Sequence, residues 1–271
     1  MKISISNIAL PSFQQSKYLG YLADLGVAGL EVAPSKVWSD TWEGLSFRKV
    51  EAFRREVNSY GLQIIGLHSL FFDHPNLGLF KGAEVNAKTR DFLTHLSSVC
   101  RDLGGHTLIY GGGRARGLIN QEEAYRQAVD FLGSLAVELE SKKLCICLEP
   151  LGPNDTDFVN SAIESLRIVR AIDSPGVRVQ LDAKALIENQ EATLETFKAV
   201  SEELVHFHAN EPGLVTLGAS GEIDHIAMGL MLNQIGYSGF VSIEQKLQNK
   251  KSPMPDIEKS IQVLKSSYIF N

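Results

Sequence analysis

The chain has 271 residues, 44% of them hydrophobic and 21% charged, and its formal net charge is −6. This composition is typical of a globular protein, and the negative charge disfavours a nucleic-acid partner, which usually needs a basic face. No apolar run approaches the roughly 18 residues of a membrane span, and the N-terminus lacks a signal-peptide pattern, so we expect a cytoplasmic protein with no membrane partner.

The first half of the chain alternates between short apolar segments and segments of helical periodicity. Strands are predicted at residues 2–8, 27–32, 62–67 and 106–110, and helices at residues 12–25, 46–60, 87–103 and 122–142. The second strand ends near Glu31 and the third is followed by His68. Both side chains are candidates for substrate contact, with a capping role as the alternative for Glu31.

The segment GGGRARG, residues 111–117, follows the fourth strand. Three glycines let the backbone approach a ligand closely, and Arg114 or Arg116 could hold a phosphate or carboxylate with paired hydrogen bonds. The alternative is a flexible turn with solvated arginines. Trp38, after the second strand, could form a wall of a sugar site or anchor its loop.

The second half of the chain continues the alternation. Strands are predicted at residues 144–148, 177–181, 204–207 and 240–243, and helices at residues 162–172, 192–200, 223–235 and 255–268. The unbroken apolar run LCICL is typical of a parallel strand that is buried on both faces. Eight strand–helix units in about 250 residues predict an α/β fold, a (β/α)8 TIM barrel, with residues 1–271 as a single domain.

The last four strands all end at side chains that can bind metal ions. These side chains are Glu149, Asp182, His208 and Glu244. In a closed barrel the carboxyl ends of the strands surround one mouth, so we expect the four to converge. Three carboxylates and an imidazole suit one Mn²⁺, Mg²⁺, Co²⁺ or Zn²⁺ ion, whose charge would offset the repulsion between the acids. His206 is predicted to lie on the side of its strand opposite His208.

Five segments carry a resemblance to a known family. They are CLEP, DFVNS, QLDA, HFHANE and GYSGFVSIEQ, in this order. They resemble motifs of the xylose isomerase-like TIM barrel superfamily, in particular the sugar phosphate isomerase/epimerase group that includes ketose 3-epimerases, inosose dehydratase and hydroxypyruvate isomerase. The resemblance implies that Glu149, Asp182, His208 and Glu244 bind one divalent metal ion. It also implies that Glu149 and Glu244 form the acid/base pair.

The chain departs from the pattern of this group at positions that bind substrate. Ala185 stands where the epimerases have a histidine, and Leu214 stands where the 3-epimerases have an arginine. Asp155 is the candidate for the second acid of the pattern, and Lys184 could replace the missing histidine by holding a substrate oxygen or phosphate.

The function predicted from the sequence is a metal-dependent isomerase or epimerase. Its substrate would be a small sugar, a sugar phosphate or a related polyol, and the reaction would begin with proton abstraction next to a carbonyl. The alternatives are an inosose-type dehydratase, a DNA repair enzyme similar to endonuclease IV, and a non-catalytic sugar-binding barrel. The resemblance is also compatible with a homo-oligomer.

Overall fold

Eight short, largely apolar segments form the strands of a closed parallel barrel. The computed structural model describes residues 1–269. The strands, in chain order, are β1 (Lys2–Ser6), β2 (Gly29–Val32), β3 (Gln63–Leu67), β4 (Thr107–Tyr110), β5 (Cys145–Leu148), β6 (Val177–Asp182), β7 (Leu204–Ala209) and β8 (Phe240–Ile243). Each strand pairs with the next, and β8 closes the sheet against β1, which confirms the predicted single-domain TIM barrel.

Helices cover the outer surface of the barrel because each parallel return requires a crossover. They are α1 (Leu19–Asp24), α2 (Phe47–Ser59), α3 (Ala83–Leu103), α4 (Gln121–Ser141), α5 (Ala162–Ile172), α6 (Ala183–Glu188), α7 (Leu194–Val200), α8 (His225–Gln234) and α9 (Met254–Tyr268). Several begin at side-chain caps: Asn120 accepts from Glu123 N at 2.9 Å and Ser161 accepts from Glu164 N at 3.0 Å. Such caps satisfy amide groups that have no partner inside the helix.

The predicted helix at residues 12–25 is shorter in the structure. Only Leu19–Asp24 is α-helical, after a single 3₁₀ turn at Gln15–Lys17. Phe13 has a left-handed φ of 60°, and its amide donates to the carbonyl of Lys36 at 2.8 Å. The segment before α1 is therefore bound to the loop after β2, and this contact prevents an earlier helix start.

The barrel interior is unusually polar towards its carboxyl end. TIM barrels commonly fill this space with branched apolar side chains. Here a set of buried polar side chains occupies it, namely Ser4, Ser6, Glu31, Gln180, His206, His208 and Ser242. Glu31 on β2 contacts His206 and His208 on β7, and these strands are not neighbours, so the contacts cross the lumen. The main apolar core lies between the strands and the helices.

Within residues 1–269, no helix combines the length and the apolar character needed to cross a bilayer.

Candidate active site

The four strand-end residues converge on one point at the mouth of the barrel. His208 Nδ1 lies 3.2 Å from Glu149 Oε1, 3.5 Å from Glu244 Oε2 and 3.8 Å from Asp182 Oδ2. Glu149, Asp182 and His208 are at most 7% exposed, and the Glu244 side chain is 16% exposed. The fold therefore assembles, from four separate strands, the set that the sequence had singled out.

The spacing of these atoms fits a divalent metal ion. Ligand bonds of about 2.1 Å place neighbouring ligands of an octahedral ion about 3 Å apart. The distances from His208 Nδ1 are close to this value, and ligand atoms of Glu149, Asp182 and His208 all lie within 4.8 Å of one another. Oxygen-rich sites with one imidazole suit Mn²⁺, Mg²⁺, Co²⁺ and Zn²⁺. The donor set thus fits a single hard or borderline cation.

The electrostatics of the site also favour a cation. Burial, followed by the charges of Glu149 and Glu244, raises the pKa of Asp182 to about 8. Burial alone would raise the pKa of Glu244, but the charges of His208 and His68 outweigh it and lower the pKa to about 2. Burial would lower the pKa of His208, yet Glu31 and Glu244 hold it well above its usual value. Without a metal ion, protons supply the missing positive charge.

Two amides that were not among the residues predicted from the sequence lie between the four candidate ligands. Gln180 Nε2 donates to Glu149 Oε1 at 2.7 Å and lies 2.8 Å from His208 Nδ1. Asn210 Nδ2 donates to Asp182 Oδ2 at 2.5 Å and to Glu244 Oε2 at 2.9 Å. Gln180 stands two residues before Asp182, and Asn210 two after His208. The two-residue period of a strand would have placed both inside the barrel.

Asp182 also has a contact outside the group of four candidate metal ligands, Glu149, Asp182, His208 and Glu244, here called the ligand cluster. Its Oδ1 accepts a hydrogen bond from the amide of Ala185 at 2.8 Å and caps the N-terminus of α6. The same helix carries Lys184 and Glu188, so the ligand and this helix are directly connected.

Glu31 lies beneath the cluster, where it has no access to a substrate. The residue is fully buried; its Oε2 is 2.9 Å from His208 Nε2, and its Oε1 faces His206 Nε2 at 3.0 Å. Ser242 Oγ donates to Oε2 at 3.1 Å. Glu31 was predicted to contact substrate, but it contacts the side of His208 that faces away from the other ligands. It orients that ring so that Nδ1 points towards the carboxylates.

The prediction for His206 was wrong. His206 lies inside the barrel on the same side of β7 as His208, with their ring centres 5.0 Å apart. Residues i and i+2 of a strand share one face, so the two histidines could not have pointed in opposite directions.

Replacing Glu31 with glutamine should weaken divalent metal binding about 10- to 100-fold, the usual effect of losing a carboxylate that orients a ligand histidine. Calorimetric titration with Mn²⁺ measures this affinity. Ser242→Ala is the matched control, because it removes another hydrogen bond of Glu31 and leaves His208 in place. Equal Mn²⁺ affinity in the Glu31 variant and the unmodified protein would contradict the orienting role.

His68 lies beside Glu244 and is 1% exposed. Its Nε2 is 2.5 Å from Ser6 Oγ, and its Nδ1 is 3.6 Å from Glu244 Oε1. The ring also borders a cavity of about 420 Å³ that opens from Glu149, His208 and Glu244. His68 is therefore placed both to hold Glu244 and to touch a bound molecule.

The structure gives Arg114 a different role from the predicted anion site. The side chain is 1% exposed, and its five N–H groups donate to five backbone carbonyls, those of Tyr110, Gly111, Glu149, Phe158 and Val159. Burial lowers its pKa to about 10, against the charge of Glu149. All of its donors are used. Arg114 thus joins the ends of β4 and β5 to the loop after β5 and cannot bind a substrate anion in this arrangement.

Arg116 and Trp38 are also occupied elsewhere. Arg116 donates to the carbonyls of Asp157 at 3.1 Å and Ile119 at 2.6 Å. Trp38 packs edge-on against Phe53, with ring centres 5.7 Å apart. Among residues 1–269, neither borders the cavities that open from the ligand cluster. Trp38 thus has the position of a loop anchor, the alternative given above, whereas Arg116 is bound to backbone carbonyls and is neither at an anion site nor a solvated arginine of a flexible turn.

Asp155 and Lys184 meet at a second cavity next to the ligands. Lys184 Nζ lies 2.6 Å from Asp155 Oδ2 and 3.5 Å from Glu188 Oε1. This cavity, here called the polar lobe, has a volume of about 420 Å³; Glu149, Asp182, Asn210, Leu214 and Glu244 also line it. The two residues that the sequence placed near a substrate are therefore a pair facing the ligand cluster.

Gly111 is required by the position of the Glu149 carboxylate. A Cβ at Gly111 would lie 2.2 Å from Glu149 Oε2, whereas a Cβ at Gly112 would meet no atom within 4 Å. Gly111→Ala should displace the carboxylate and lower turnover by on the order of 100-fold, because small misplacements of a reacting group are costly. Gly112→Ala is the matched control and should retain activity. Similar activity of both variants in a turnover assay would contradict this view of Glu149.

Comparison with known proteins identifies the family. The family model for xylose isomerase-like TIM barrels matches residues 19–267, which is most of the chain. The chain belongs to this family.

The sequence identity between the chain and individual members of the xylose isomerase-like family is low. Over 234 residues the chain is 24% identical to L-ribulose 3-epimerase of Methylomonas sp., an alignment that covers 77% of the chain and 81% of that protein. It is 25% identical over 126 residues to D-psicose 3-epimerase of Ruminiclostridium cellulolyticum, covering 46% of the chain and 43% of the relative. This second alignment thus spans less than half of the relative's length.

A solved structure shows the same architecture over the whole chain. The crystal structure of D-psicose 3-epimerase with D-tagatose from Clostridium cellulolyticum H10 aligns with a TM-score of 0.82 at 19% identity, covering 98% of each chain. At this identity the likeness demonstrates a shared barrel fold.

Proposed function

We propose that this member of the xylose isomerase-like family is a sugar epimerase or isomerase that uses one divalent metal ion, Mn²⁺, Mg²⁺, Co²⁺ or Zn²⁺. Glu149, Asp182, His208 and Glu244 would hold the ion. The observation that carries the proposal is that two carboxylates, Glu149 and Glu244, flank one imidazole nitrogen and border both cavities of the mouth. The names of the two curated relatives, both sugar 3-epimerases, support it.

The chemistry assigns separate tasks to the side chains. When bound, the metal ion would hold two substrate oxygens and polarise the carbonyl, which makes the adjacent C–H more acidic. Glu149 and Glu244 would remove that proton and return one. Gln180 holds the Glu149 carboxylate, and His68 and Asn210 hold that of Glu244. The two reacting groups are thus fixed before substrate arrives.

Arg114, Arg116 and Lys184 give no support for a phosphorylated substrate. Arg114 and Arg116 donate to backbone carbonyls, and Lys184 is already paired with Asp155 and Glu188. A phosphate would need uncommitted donors, and at this mouth the exposed Lys246, which also lines the polar lobe, is the side chain left to supply one. The earlier inference from the two arginines, a phosphorylated or acidic substrate, therefore loses its basis.

The proposal is tested by incubating the Mn²⁺-loaded protein with a panel of free ketoses in D₂O. We expect deuterium to enter the carbon next to the carbonyl and an epimer or isomer to accumulate, as seen by NMR and mass spectrometry. A product lighter by one water would instead point to a dehydratase. Absence of exchange with every ketose, in protein shown by calorimetry to hold the metal, would refute the proposal.

A further inference from the structure

The ligand cluster opens into two cavities of different character. The polar lobe carries the Asp155–Lys184 pair and Asn210. The other, here called the aromatic lobe, is bordered by His68, Phe71, Phe72, Pro75, Leu77 and Ile109. Each has a volume of about 420 Å³, and Glu149 and Glu244 line both. Pockets that hold whole small molecules begin at roughly 300 Å³, so either lobe is large enough for a separate ring.

The aromatic lobe is fixed by contacts within its walls. Leu79 N donates to the carbonyl of Gly113 at 2.7 Å, and Gly78 N donates to Thr89 Oγ1 at 2.9 Å. A Cβ on Gly78 would lie only 2.3 Å from the carbonyl oxygen of Gly113. The loop after β3 is thus held closely against the loop after β4, and the cavity between them is preformed.

Two adjacent phenylalanines have different positions in this wall. Phe71 packs against Tyr110 and Phe92, with ring centres 5.4 Å and 6.2 Å away. Phe72 is 73% exposed, and within residues 1–269 no other aromatic ring packs against it. A side chain of this size left in water forgoes the free energy that its burial would contribute. An aromatic face packs well on the C–H surface of a sugar ring or on an apolar substituent.

We propose that the aromatic lobe is a subsite for a second ring, and that the substrate is a keto-sugar that carries another sugar. The reacting ketose would occupy the ligand cluster and the polar lobe, where hydroxyl groups meet Asp155, Lys184 and Asn210. The attached ring would pack on Phe72. No bond to that ring changes, since one proton leaves the reacting ketose and one returns to it. The inference rests on the proposed function and specifies its substrate class.

The test compares D-fructose with three disaccharides in which fructose carries a glucosyl group: trehalulose at O1, maltulose at O4 and isomaltulose at O6. Deuterium exchange gives kcat and KM, and calorimetry gives Kd. We expect at least one disaccharide to exceed fructose by about 10-fold or more in kcat/KM, a difference of about 1.4 kcal/mol. Phe72→Ala should remove this advantage through KM and leave the reaction of fructose unchanged.

Phe47→Ala is the matched control, because Phe47 is 60% exposed at the start of α2 and borders neither lobe. It should alter no sugar's kinetics. Fructose equal to or better than all three disaccharides, or an equal effect of Phe72→Ala on every sugar, would overturn the subsite. Absence of exchange with all sugars would refute the proposed epimerase or isomerase. In that case the Kd values decide on the subsite. Tighter binding of a disaccharide than of fructose, abolished by Phe72→Ala, would support the subsite, and equal binding of all sugars would overturn it.

Discussion

Glu149→Gln should lower ketose turnover by on the order of 1,000-fold or more, with the barrel intact. Glutamine has nearly the same shape as glutamate but cannot accept the proton, and general acid–base groups contribute roughly 100- to 10,000-fold. It also replaces one anionic ligand with a neutral one, so Mn²⁺ affinity should fall as well. Turnover is measured as deuterium exchange at saturating Mn²⁺, and circular dichroism monitors the fold.

The control for this variant is Asp155→Asn, another acid of the same mouth. Asp155 is paired with Lys184 and is not among the groups around His208 Nδ1. Its replacement should raise KM more than it lowers kcat, because it removes a substrate contact and leaves the reacting groups in place. If Glu149→Gln retained a tenth of normal turnover at full metal occupancy, Glu149 would not be the proton acceptor.

Asp182→Asn should have opposite effects on the protein with and without metal. In the metal-free protein the pKa of Asp182 is raised to about 8, against about 3.9 in an unfolded chain. The folded state then binds the proton more tightly, so this group's stabilisation is complete below about pH 4 and is lost as the pH rises to about 8. Asparagine does not ionise, so the variant should keep on the order of a few kcal/mol that the unmodified protein loses over this window.

Urea unfolding in the presence of a chelator, at pH 5 and at pH 8.5, measures this difference. Adding Mn²⁺ at pH 7.5 should reverse the order, because an ion that binds only the folded state stabilises the unmodified protein and not the variant. Glu195→Gln, at an exposed position in the first turn of α7, is the control and should show neither effect. If the free energy of unfolding of Asp182→Asn depended on pH in the same way as that of the unmodified protein, the result would contradict the crowding of charges at the site.

The positions of the strands, and of the residues at which they end, could be predicted from the sequence for physical reasons. Buried parallel strands have continuous apolar runs, and the residue at which each run ends lies at the mouth whatever the details of packing. This reasoning located Glu149, Asp182, His208 and Glu244 on one rim. It did not extend to His206, which shares the inner face of β7 with His208 because side chains two residues apart lie on the same side of a strand. The same period relates Gln180 to Asp182 and Asn210 to His208.

Arg114 could not have been placed from the sequence. Its five acceptors are backbone carbonyls from three segments. Every residue has such a carbonyl, so the residue types do not show which carbonyls an arginine will contact. An arginine beside glycines suggests an anion site in the sequence, whether the folded side chain points towards a ligand or away from it. Trp38 posed the same difficulty, since packing against Phe53 or against a ligand requires the same ring. Side-chain direction in loops depends on contacts that only the folded chain defines.

The contact of Asp182 with α6 has a kinetic consequence. One carboxylate is both a member of the ligand cluster and the cap of the helix that carries Lys184. If Asp182 moves when an ion binds, that movement would be transmitted to Lys184. The dimensions of the polar lobe would then differ between the metal-free and the metal-bound protein. The proposed epimerase or isomerase should therefore follow an ordered sequence, in which the metal ion binds first and the sugar second. Initial rates measured over a grid of Mn²⁺ and ketose concentrations should show that order.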